Sequence, residues 1–365
     1  MDLGSTLREA LRRPPDRPPA VTILGDLGHD HIYSCPPLES GREVIIRSYR
    51  KTLAGAAGYV ATGLARLGAT VHFLTEVGDD PAGQALRRDA VALGLRPEGI
   101  RIRPGTGSPF SLIFADEAEQ SPRQVATYLG TLAELSVENL DPEPYLAASE
   151  LVYSCNYFLL TRLREQIADV FARARTLGVL TAYDANAGDG WDSPRALRTL
   201  VEEIYPQTDI VFLNQSEAAA LSGGAEPEQA LARLSPHSAT VVIKLGPRGV
   251  ILRHHDAVTR ASACPLPGPV RDTIGAGDSF QAAFLYFLLR GLPVEQCAVL
   301  GAANGASNVL HAGGLTGQLD LPGLEAFLSR YRVETRKPGH IEVHFREEDP
   351  RGGALTGHGQ GGRSR

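Results

Sequence analysis

Short runs of β-branched and other apolar residues alternate with longer helical stretches along most of this chain. The predicted strands are Val21–Leu24, Thr70–Leu74, Glu150–Tyr153, Leu180–Tyr183, Ile210–Leu213 and Val241–Leu245. The predicted helices between them include Ala57–Leu67, Ala82–Leu93 and Leu163–Leu177. Such alternation is typical of a mostly parallel sheet, because its crossover connections place helices on both faces. The pattern therefore predicts a three-layer α/β/α fold, whose ligands bind beyond the carboxyl ends of the strands.

Two segments interrupt this alternation with β-type residues that no helix separates. They are Glu43–Leu53 and Ser111–Tyr128, and polar turns divide them. We interpret them as a small antiparallel β lid that stands off the core, inserted as segments 32–53 and 107–130. Ordinary surface hairpins are the alternative, and the pattern alone barely separates the two.

Both ends of the chain differ in composition from its centre. A short helical piece, Ser5–Arg13, precedes the proline-rich stretch Pro14–Pro19, so we predict a mobile leader over residues 1–20. Residues 349–365 are rich in Gly, Arg and Ser and nearly free of large apolar side chains, which predicts a disordered tail. Residues 21–348 then form the folded part of the chain.

Composition and charge restrict the kind of ligand. The chain has 365 residues, 43% hydrophobic content and a net charge of −6, which argues against nucleic acid and favours a small molecule. Its four cysteines are far apart in sequence and form no Cys-x-x-Cys pair, so we expect buried thiols. No apolar run approaches the ~20 residues that span a bilayer, and the N-terminus lacks a signal-peptide core. We expect a cytoplasmic protein without a membrane partner.

The string Asp272–Phe280 contains two glycines and an alanine and leads directly into the helical stretch Gln281–Arg290. Small residues let backbone N–H groups approach an anion, and the helix directs the positive end of its dipole to the same place. Gly275, Ala276 and Gly277 therefore predict an anion site. The carboxylate of Asp278 needs another explanation there, and proton abstraction is one. Helix capping is the alternative.

The whole string resembles the second signature of the ribokinase/PfkB-type carbohydrate kinases. The resemblance implies a ribokinase-like kinase domain over residues 21–348, with an anion hole for the transferring phosphoryl group and Asp278 as the base. It implies ATP-dependent phosphorylation of a hydroxymethyl group on a sugar or sugar-like molecule. It also implies a β lid over the acceptor, used in some members for dimerisation. A monovalent cation beside the Asp272–Gly277 loop would be consistent with it.

Asp30 follows the first predicted strand and is a candidate for binding sugar hydroxyls, since an ionised carboxylate is a good acceptor for vicinal diols. In the family, an Asp at this position has that role. Asp26 could make a second contact or only form the turn. Asn156, which follows the strand Glu150–Tyr153, completes the candidates on this side.

Residues Ala54–Ala61 resemble the family's first signature, a Gly-Gly turn that opens a helix carrying a sugar-binding Asn. Gly55 matches it and is a candidate for substrate binding, but Ala54 replaces the first Gly and Tyr59 replaces the Asn. A tyrosine offers one hydroxyl and a flat ring suited to stacking. A nucleoside, an aryl-bearing sugar or a rotated sugar would fit such a pocket. A tyrosine that merely packs beneath the lid would also explain the residue.

Asn214 and Glu217 resemble the family's Asn-x-x-Glu motif, which acts on Mg²⁺ through water. The alternative is a capping box, and both can hold together. The resemblance assigns nucleotide binding to Asn214, to the turn beginning at Lys244 with Gly246 and Gly249, and to Asn304 in the small-residue run Ala302–Ser307. A surface lysine and simple helix–sheet packing are the alternatives for Lys244 and for that run.

Three functions therefore remain open at this stage. The first is an ATP- and Mg²⁺-dependent carbohydrate kinase. The second is a nucleoside kinase on the same fold, with Tyr59 as a stacking platform. The third is a ligand-binding member without turnover, which the altered first signature permits but the intact Asp278, Asn214 and Glu217 disfavour.

Overall fold

The computed structural model describes residues 3–12, 17–38, 41–115, 124–186 and 194–346. Its strands are β1 (Ala20–Leu24), β2 (Gly28–Ser34), β3 (Ser48–Ala54), β4 (Thr70–Gly78), β5 (Ile100–Arg103), β6 (Phe110–Ala115), β7 (Gln124–Tyr128), β8 (Leu151–Cys155), β9 (Leu180–Asp184), β10 (Ile210–Asn214), β11 (Thr240–Lys244), β12 (Val250–His254), β13 (Ala257–Ala261), β14 (Tyr331–Lys337) and β15 (His340–Phe345). Its helices are α1 (Leu3–Arg12), α2 (Ala56–Arg66), α3 (Pro81–Ala92), α4 (Val137–Leu140), α5 (Glu143–Leu146), α6 (Ile167–Thr176), α7 (Pro194–Thr199), α8 (Gln215–Leu221), α9 (Pro227–Leu234), α10 (Ala276–Leu289), α11 (Val294–Asn308) and α12 (Leu321–Leu328).

One large sheet forms the centre of the molecule. Its strand order is β14-β15-β13-β12-β11-β10-β9-β8-β1-β4-β5. From β11 to β5 every neighbouring pair is parallel, whereas β12 pairs antiparallel with β11 and β13, and β14 pairs antiparallel with β15. The predicted mostly parallel sheet is confirmed.

Two hydrophobic cores cover the two faces of this sheet. Along β10, Ile210 and Phe212 join the core formed with α2, α10 and α11, while Val211 and Leu213 join the core formed with α6 and α9. Consecutive side chains of a strand point to opposite faces, so a strand covered by helices on both sides must be apolar throughout. The predicted three-layer α/β/α arrangement follows from this distribution and is confirmed.

A second, smaller sheet has the order β3-β2-β6-β7. Strands β6 and β7 lie within the predicted lid segments, β3 ends one residue beyond them at Ala54, and β2 begins at Gly28, before the predicted start at residue 32. The outer pairs, β2 with β3 and β6 with β7, are antiparallel hairpins. The central pair, β2 with β6, is parallel, which differs from the purely antiparallel lid that we predicted. The reason is topological: β1 and β5 run in the same direction in the large sheet, and β2 and β6 leave from them the same way.

Helix α1 differs from the predicted mobile leader. Leu7 is fully buried and Leu11 is nearly so, and the helix packs against α12 and β14. Its apolar residues recur on one face, which supplies the anchor that a mobile segment lacks. Residues 13–16 and the predicted tail, residues 349–365, lie outside the described residues. The helices that the structure describes include none long and apolar enough to cross a bilayer.

Candidate active site

Polar side chains meet at the carboxyl edge of the large sheet. The adjacent parallel strands β8, β9, β10 and β11 each end at, or just before, one polar residue. In this order the residues are Asn156, Asp184, Asn214 and Lys244. Asn214 and Lys244 are direct partners in the β10–β11 register. Parallel strands present their carboxyl ends on one side, so the side chains converge where a ligand of such a sheet is expected.

The predicted anion turn lies at the start of α10, opposite these strand ends. Gly275 caps the helix with φ 72°, and a Cβ there would come within 2.5 Å of the Gly314 carbonyl oxygen, so only glycine fits. The helix begins at Ala276, earlier than the predicted Gln281, and therefore includes Gly277 and Asp278 in its first turn. The N–H groups of a first helical turn have no partner four residues back, which makes them available to an anion. The N–H of Ala276 differs, since it lies 3.4 Å from the Thr273 carbonyl oxygen.

Lys244 extends its ammonium group to this same turn. A Cβ on Gly277 would lie 3.2 Å from Lys244 Nζ, so the missing side chain leaves room for the cation. Nζ donates to Asp184 Oδ2 at 2.7 Å, and Gln281 Nε2 donates to the same oxygen. Burial lowers the pKa of Lys244, but Asp184 and Glu217 outweigh it and raise the pKa overall. A permanent positive charge therefore lies beside the start of α10, and the surface-lysine alternative is excluded.

Asp278 is half-buried among charged groups. Burial raises the pKa of its carboxyl to about 7, and Asp184, Asp26 and Glu217 add to the rise, while Lys244 opposes it. A carboxylate that titrates near neutral pH can take a proton from an alcohol more readily than an ordinary aspartate can. The environment thus suits Asp278 to general-base chemistry.

Asn214 and Glu217 form a capping box at the start of α8. Asn214 Oδ1 accepts from the Glu217 N–H at 2.9 Å, and Glu217 Oε2 accepts from the Asn214 N–H at 2.7 Å. Glu217 is buried, yet its charge influences both Lys244 and Asp278, which places it at the edge of the same site. The structural alternative is therefore realised, and an action on a metal through water stays compatible with it.

Three predicted nucleotide contacts have different outcomes. Gly246 forms a turn with φ 59° in open space, as a residue beside a ligand could. Gly249 is required by the chain itself, because a Cβ there would lie 2.1 Å from the Ala261 carbonyl oxygen. Asn304 differs from our prediction: it is fully buried, donates to the Ser279 carbonyl and accepts from the Leu319 N–H. Its amide holds α10 to the loop before α12 and is not available to a nucleotide.

On the lid side, Asp30 lies within β2 and faces the core. Burial raises the pKa of its carboxyl to about 6, although hydrogen bonds from Tyr59 and Ser111 oppose the rise. The Tyr59 hydroxyl donates to Asp30 Oδ2 at 3.3 Å. Asp30 therefore combines a held orientation with a carboxylate that can still accept from an acceptor hydroxyl.

Tyr59 is buried beneath the lid and does not present an open ring. A Cβ on Gly314 would lie 2.6 Å from Tyr59 Cζ, so the ring rests directly against the Gly314 backbone. Burial, with the nearby Asp30 carboxylate, raises the pKa of the phenol well above its ordinary value, so the hydroxyl keeps its proton. Among the interpretations left open by the sequence, this geometry corresponds to a tyrosine packed beneath the lid, and its hydroxyl additionally bonds Asp30.

The remaining acceptor-side candidates shape the chain around α2 and β8. Gly55 precedes α2 with φ 106°, and a Cβ there would lie 2.5 Å from the Asp26 carbonyl oxygen. The Asp26 carboxylate accepts from the N–H groups of Ala56 and Ala57 at 3.0 and 3.1 Å, so it caps α2. Asn156 has φ 60° directly after β8, an uncommon conformation that turns the chain at the site.

Several pairings at the site were not identified from the sequence. Gln281 and Asp184 are distant in sequence, and neither residue type alone indicates the pair that they form. Arg50 and Asp272 are likewise joined only by the position of the lid, at 3.6 Å. Strand alternation gives one indication that Arg50 faces the site. Ile32 is two residues from Asp30 and shares its face of the lid, and Arg50 lies opposite Ile32 on β3.

Comparison with known proteins identifies the family of the chain. Residues 22–320 match the family model described as pfkB family carbohydrate kinase. The chain is 26% identical over 303 residues to the 2-dehydro-3-deoxygluconokinase of Bacillus subtilis (strain 168), covering 80% of this chain and 92% of the relative. It is 25% identical over 327 residues to a nucleoside kinase of Methanocaldococcus jannaschii, covering 85% and 96%.

Solved structures show the same architecture. The Arabidopsis thaliana ribokinase complexed with ribose and ATP superposes with a TM-score of 0.75 at 20% identity, covering 86% of this chain and 99% of the ribokinase. That likeness concerns the fold and confirms the predicted ribokinase-like architecture. Because the family model spans most of the chain, including the glycine turn and Asp278, this protein belongs to the pfkB family of carbohydrate kinases.

Proposed function

We propose that the protein transfers the terminal phosphoryl group of ATP to a hydroxymethyl group of a sugar or sugar-like acceptor. The observation that carries the proposal is Asp278, a half-buried carboxylate with a pKa of about 7 in the first turn of α10. The ammonium group of Lys244 lies beside that turn. The base, Asp278, thus directly follows the anion site at Gly275–Gly277. Transfer of a phosphoryl group to an alcohol requires both in one place.

Each of these residues has one task in the transfer. Asp278 accepts the proton of the acceptor hydroxyl while the hydroxyl oxygen attacks the terminal phosphorus atom of ATP and ADP leaves. The N–H groups of the α10 first turn and Lys244 Nζ stabilise the negative charge on the phosphoryl oxygens. Asp184 and Gln281 hold that ammonium in place, and Asp30, oriented by Tyr59, accepts from another hydroxyl of the acceptor.

The residues also fit ATP with Mg²⁺, which members of the family use. Bound Mg²⁺ would draw the nucleotide phosphates together and neutralise part of their charge. In the described part of the chain no cluster of three or more His, Cys, Asp or Glu side chains forms a ready metal cage. Glu217 and Asn214 would therefore act on the ion through water, at the edge of the site. Glu217→Gln should raise the Mg²⁺ concentration for half-maximal rate several-fold, because it removes one charge from the outer shell.

A sugar is favoured over a nucleoside as the acceptor. The similarity to a nucleoside kinase and the expected stacking role of Tyr59 supported the alternative. The buried ring, pressed against Gly314, removes the second argument. The similarity to 2-dehydro-3-deoxygluconokinase supports keto-deoxy sugars as the first acceptors to examine.

The experiment is a phosphorylation assay across a panel of aldoses, ketoses, keto-deoxy sugar acids and nucleosides. ADP release should require a sugar, and mass spectrometry should find a product heavier by one phosphoryl group. Asp278→Asn serves as the inactive control. Turnover confined to nucleosides would establish the second candidate instead, and absence of turnover with every acceptor would contradict the proposal.

The lid also supports a homodimer, with a second copy of this chain as the partner. Its outer face carries a row of contacting rings: Tyr33 stacks on Tyr49 at 5.2 Å and on Phe114 at 5.4 Å, and Phe110 contacts Tyr128 at 5.4 Å. Tyr49 and Tyr128 remain about half exposed. Sedimentation should show a dimer that Tyr49→Arg dissociates. A monomeric wild type at micromolar concentration would exclude this interface.

A further inference from the structure

One contact joins the lid to the loop that precedes the anion turn. Arg50, on the lid strand β3, places a guanidinium nitrogen 3.6 Å from Asp272 Oδ2. Its Cζ lies 3.9 Å from the position of a Cβ on Gly313, so the group covers this loop from above. Asp272 is buried, whereas the Arg50 side chain is 42% exposed. The ion pair therefore crosses from a half-exposed lid to a buried part of the core.

The Asp272 carboxylate organises two loops at once. Oδ1 accepts from the Ile274 N–H at 3.0 Å and Oδ2 accepts from the Gly313 N–H at 3.0 Å. The first loop continues into Gly275, and the second contains Gly314, against which both Gly275 and the Tyr59 ring are pressed. Movement of this carboxylate would therefore shift Gly275, which caps α10, together with Gly314, which supports the Tyr59 ring beneath Asp30.

The family resemblance is consistent with a monovalent cation beside this loop. The groups around Asp272 do not fit a free ion well. Both carboxylate oxygens already accept a backbone N–H, and a guanidinium faces the second one. A further cation on the same carboxylate would be repelled by Arg50 or would have to displace it. The positive charge beside Asp272 is that of the Arg50 guanidinium.

We propose that Arg50 is a positioning residue that supplies this charge and couples the lid to the anion turn. The inference rests on the proposed kinase function and adds to it that turnover does not depend on an added monovalent cation. Because the charge is carried by β3, the loop would be held in place only when the lid is seated on the core.

The test compares wild type with Arg50→Ala and Arg50→Lys in a tetramethylammonium buffer, with and without KCl. Arg47→Ala is the matched control, since Arg47 is an exposed arginine immediately before the same strand. We expect wild-type kcat to change less than about twofold with KCl. Arg50→Ala should lower kcat on the order of tenfold or more, because a displaced catalytic turn costs rate steeply. Added guanidinium ion should restore part of the loss, and Arg50→Lys should retain more activity than Arg50→Ala.

A second measurement keeps the inference separate from the kinase function. Amide hydrogen exchange in peptides covering residues 272–276 and 311–315 should accelerate in Arg50→Ala and stay unchanged in Arg47→Ala. This readout needs no acceptor, so it decides the role of Arg50 even if no substrate of the panel is turned over. The proposal is overturned if wild type requires K⁺ for turnover. It is equally overturned if Arg50→Ala and Arg47→Ala show the same amide hydrogen exchange in these peptides. If an acceptor is turned over, their kcat values must also be the same for this outcome.

Discussion

The two sides of the site are built differently. On the phosphate side, Lys244, Asp184 and Gln281 form a closed set of short contacts, and Asp184 and Gln281 are fully buried. On the acceptor side, the contacts from lid to core are longer, 3.3 Å from Tyr59 to Asp30 and 3.6 Å from Arg50 to Asp272. These three groups belong to the large sheet or to α10. The acceptor side depends on groups of the second sheet, Asp30 on β2 and Arg50 on β3.

This difference separates chemistry from specificity. Preorganised charges accelerate a reaction because they do not rearrange while it proceeds, which suits groups fixed by a buried sheet. A binding surface that must admit and release an acceptor needs a part that moves. Changes on the phosphate side should therefore lower kcat alike for every acceptor, whereas changes to the lid-side groups that contact the acceptor should alter KM and depend on the acceptor. Arg50 differs from these groups, because it acts on the loop before the anion turn and its loss should lower kcat.

Asp278→Asn should have the largest effect. The amide has the same shape but cannot take a proton, so we expect kcat to fall about 10²–10⁴-fold, with nucleotide affinity changed little. Turnover assays and calorimetric titration of an ATP analogue measure the two quantities. Retention of most of kcat would remove Asp278 from the role of base and would break the assignment of chemistry to this side.

Lys244→Met should follow. Loss of the ammonium group removes charge stabilisation at the α10 turn, so kcat/KM should fall roughly 10²–10³-fold. The variant should also lose about 3–5 kcal/mol of unfolding free energy, because Asp184 is left buried without its cation. Lys337→Met, on the exposed end of β14, is the control and should match wild type in urea titrations. An active and stable Lys244→Met would show that the phosphate side is less interdependent than its contacts indicate.

Tyr59→Phe examines the lid side. It removes the hydroxyl that orients Asp30 but keeps the ring against Gly314, so KM for the acceptor should rise about tenfold while kcat stays similar. Tyr59→Asn should cost more, since it also removes the ring, and should bring no gain toward ribose or fructose. Tyr128→Phe on the outer face is the control. An unchanged KM in Tyr59→Phe would place the orientation of Asp30 elsewhere.

The smallest effect concerns stability and pH. The pKa of Asp278 is raised to about 7 in the folded protein, so the folded state binds more protons than the unfolded state between about pH 4 and pH 7. This contribution to stability is complete below the unfolded pKa and is lost as pH rises through the folded one. Asp278→Asn should therefore gain roughly 1 kcal/mol relative to wild type between pH 6 and pH 8. Urea unfolding at both pH values measures the difference, and a constant difference would contradict the raised pKa.

Much of the architecture was predictable because it depends on local pattern. The alternation of strands and helices predicted the parallel sheet, and its predicted strand bounds differ from the observed ones by only a few residues. The string around Gly275 and Asp278 predicted the anion turn, since glycine is demanded there by a backbone contact. The capping alternative for Asn214 and Glu217 was also visible from their spacing alone.

Other features depended on partners far away in the chain. Asn304 was assigned to the nucleotide from its small neighbours, yet its amide binds the Ser279 and Leu319 backbones. Helix α1 was assigned to a mobile leader, yet Leu7 is buried against the other end of the chain. Residue type does not indicate the bonds of Asn304. The periodicity of α1 indicates an apolar face but not the elements that cover it, because those neighbours are supplied by folding.

Local sequence was sufficient for the kinds of elements and for the glycine turn, since each depends on residues within a few positions of one another. The tertiary structure alone decided how charges pair across the site: Lys244 with Asp184, Tyr59 with Asp30, and Arg50 with Asp272. Electrostatic interactions act over a few ångströms in space and are indifferent to separation along the chain. A carboxylate's role is therefore set by whichever donor or cation the fold places beside it.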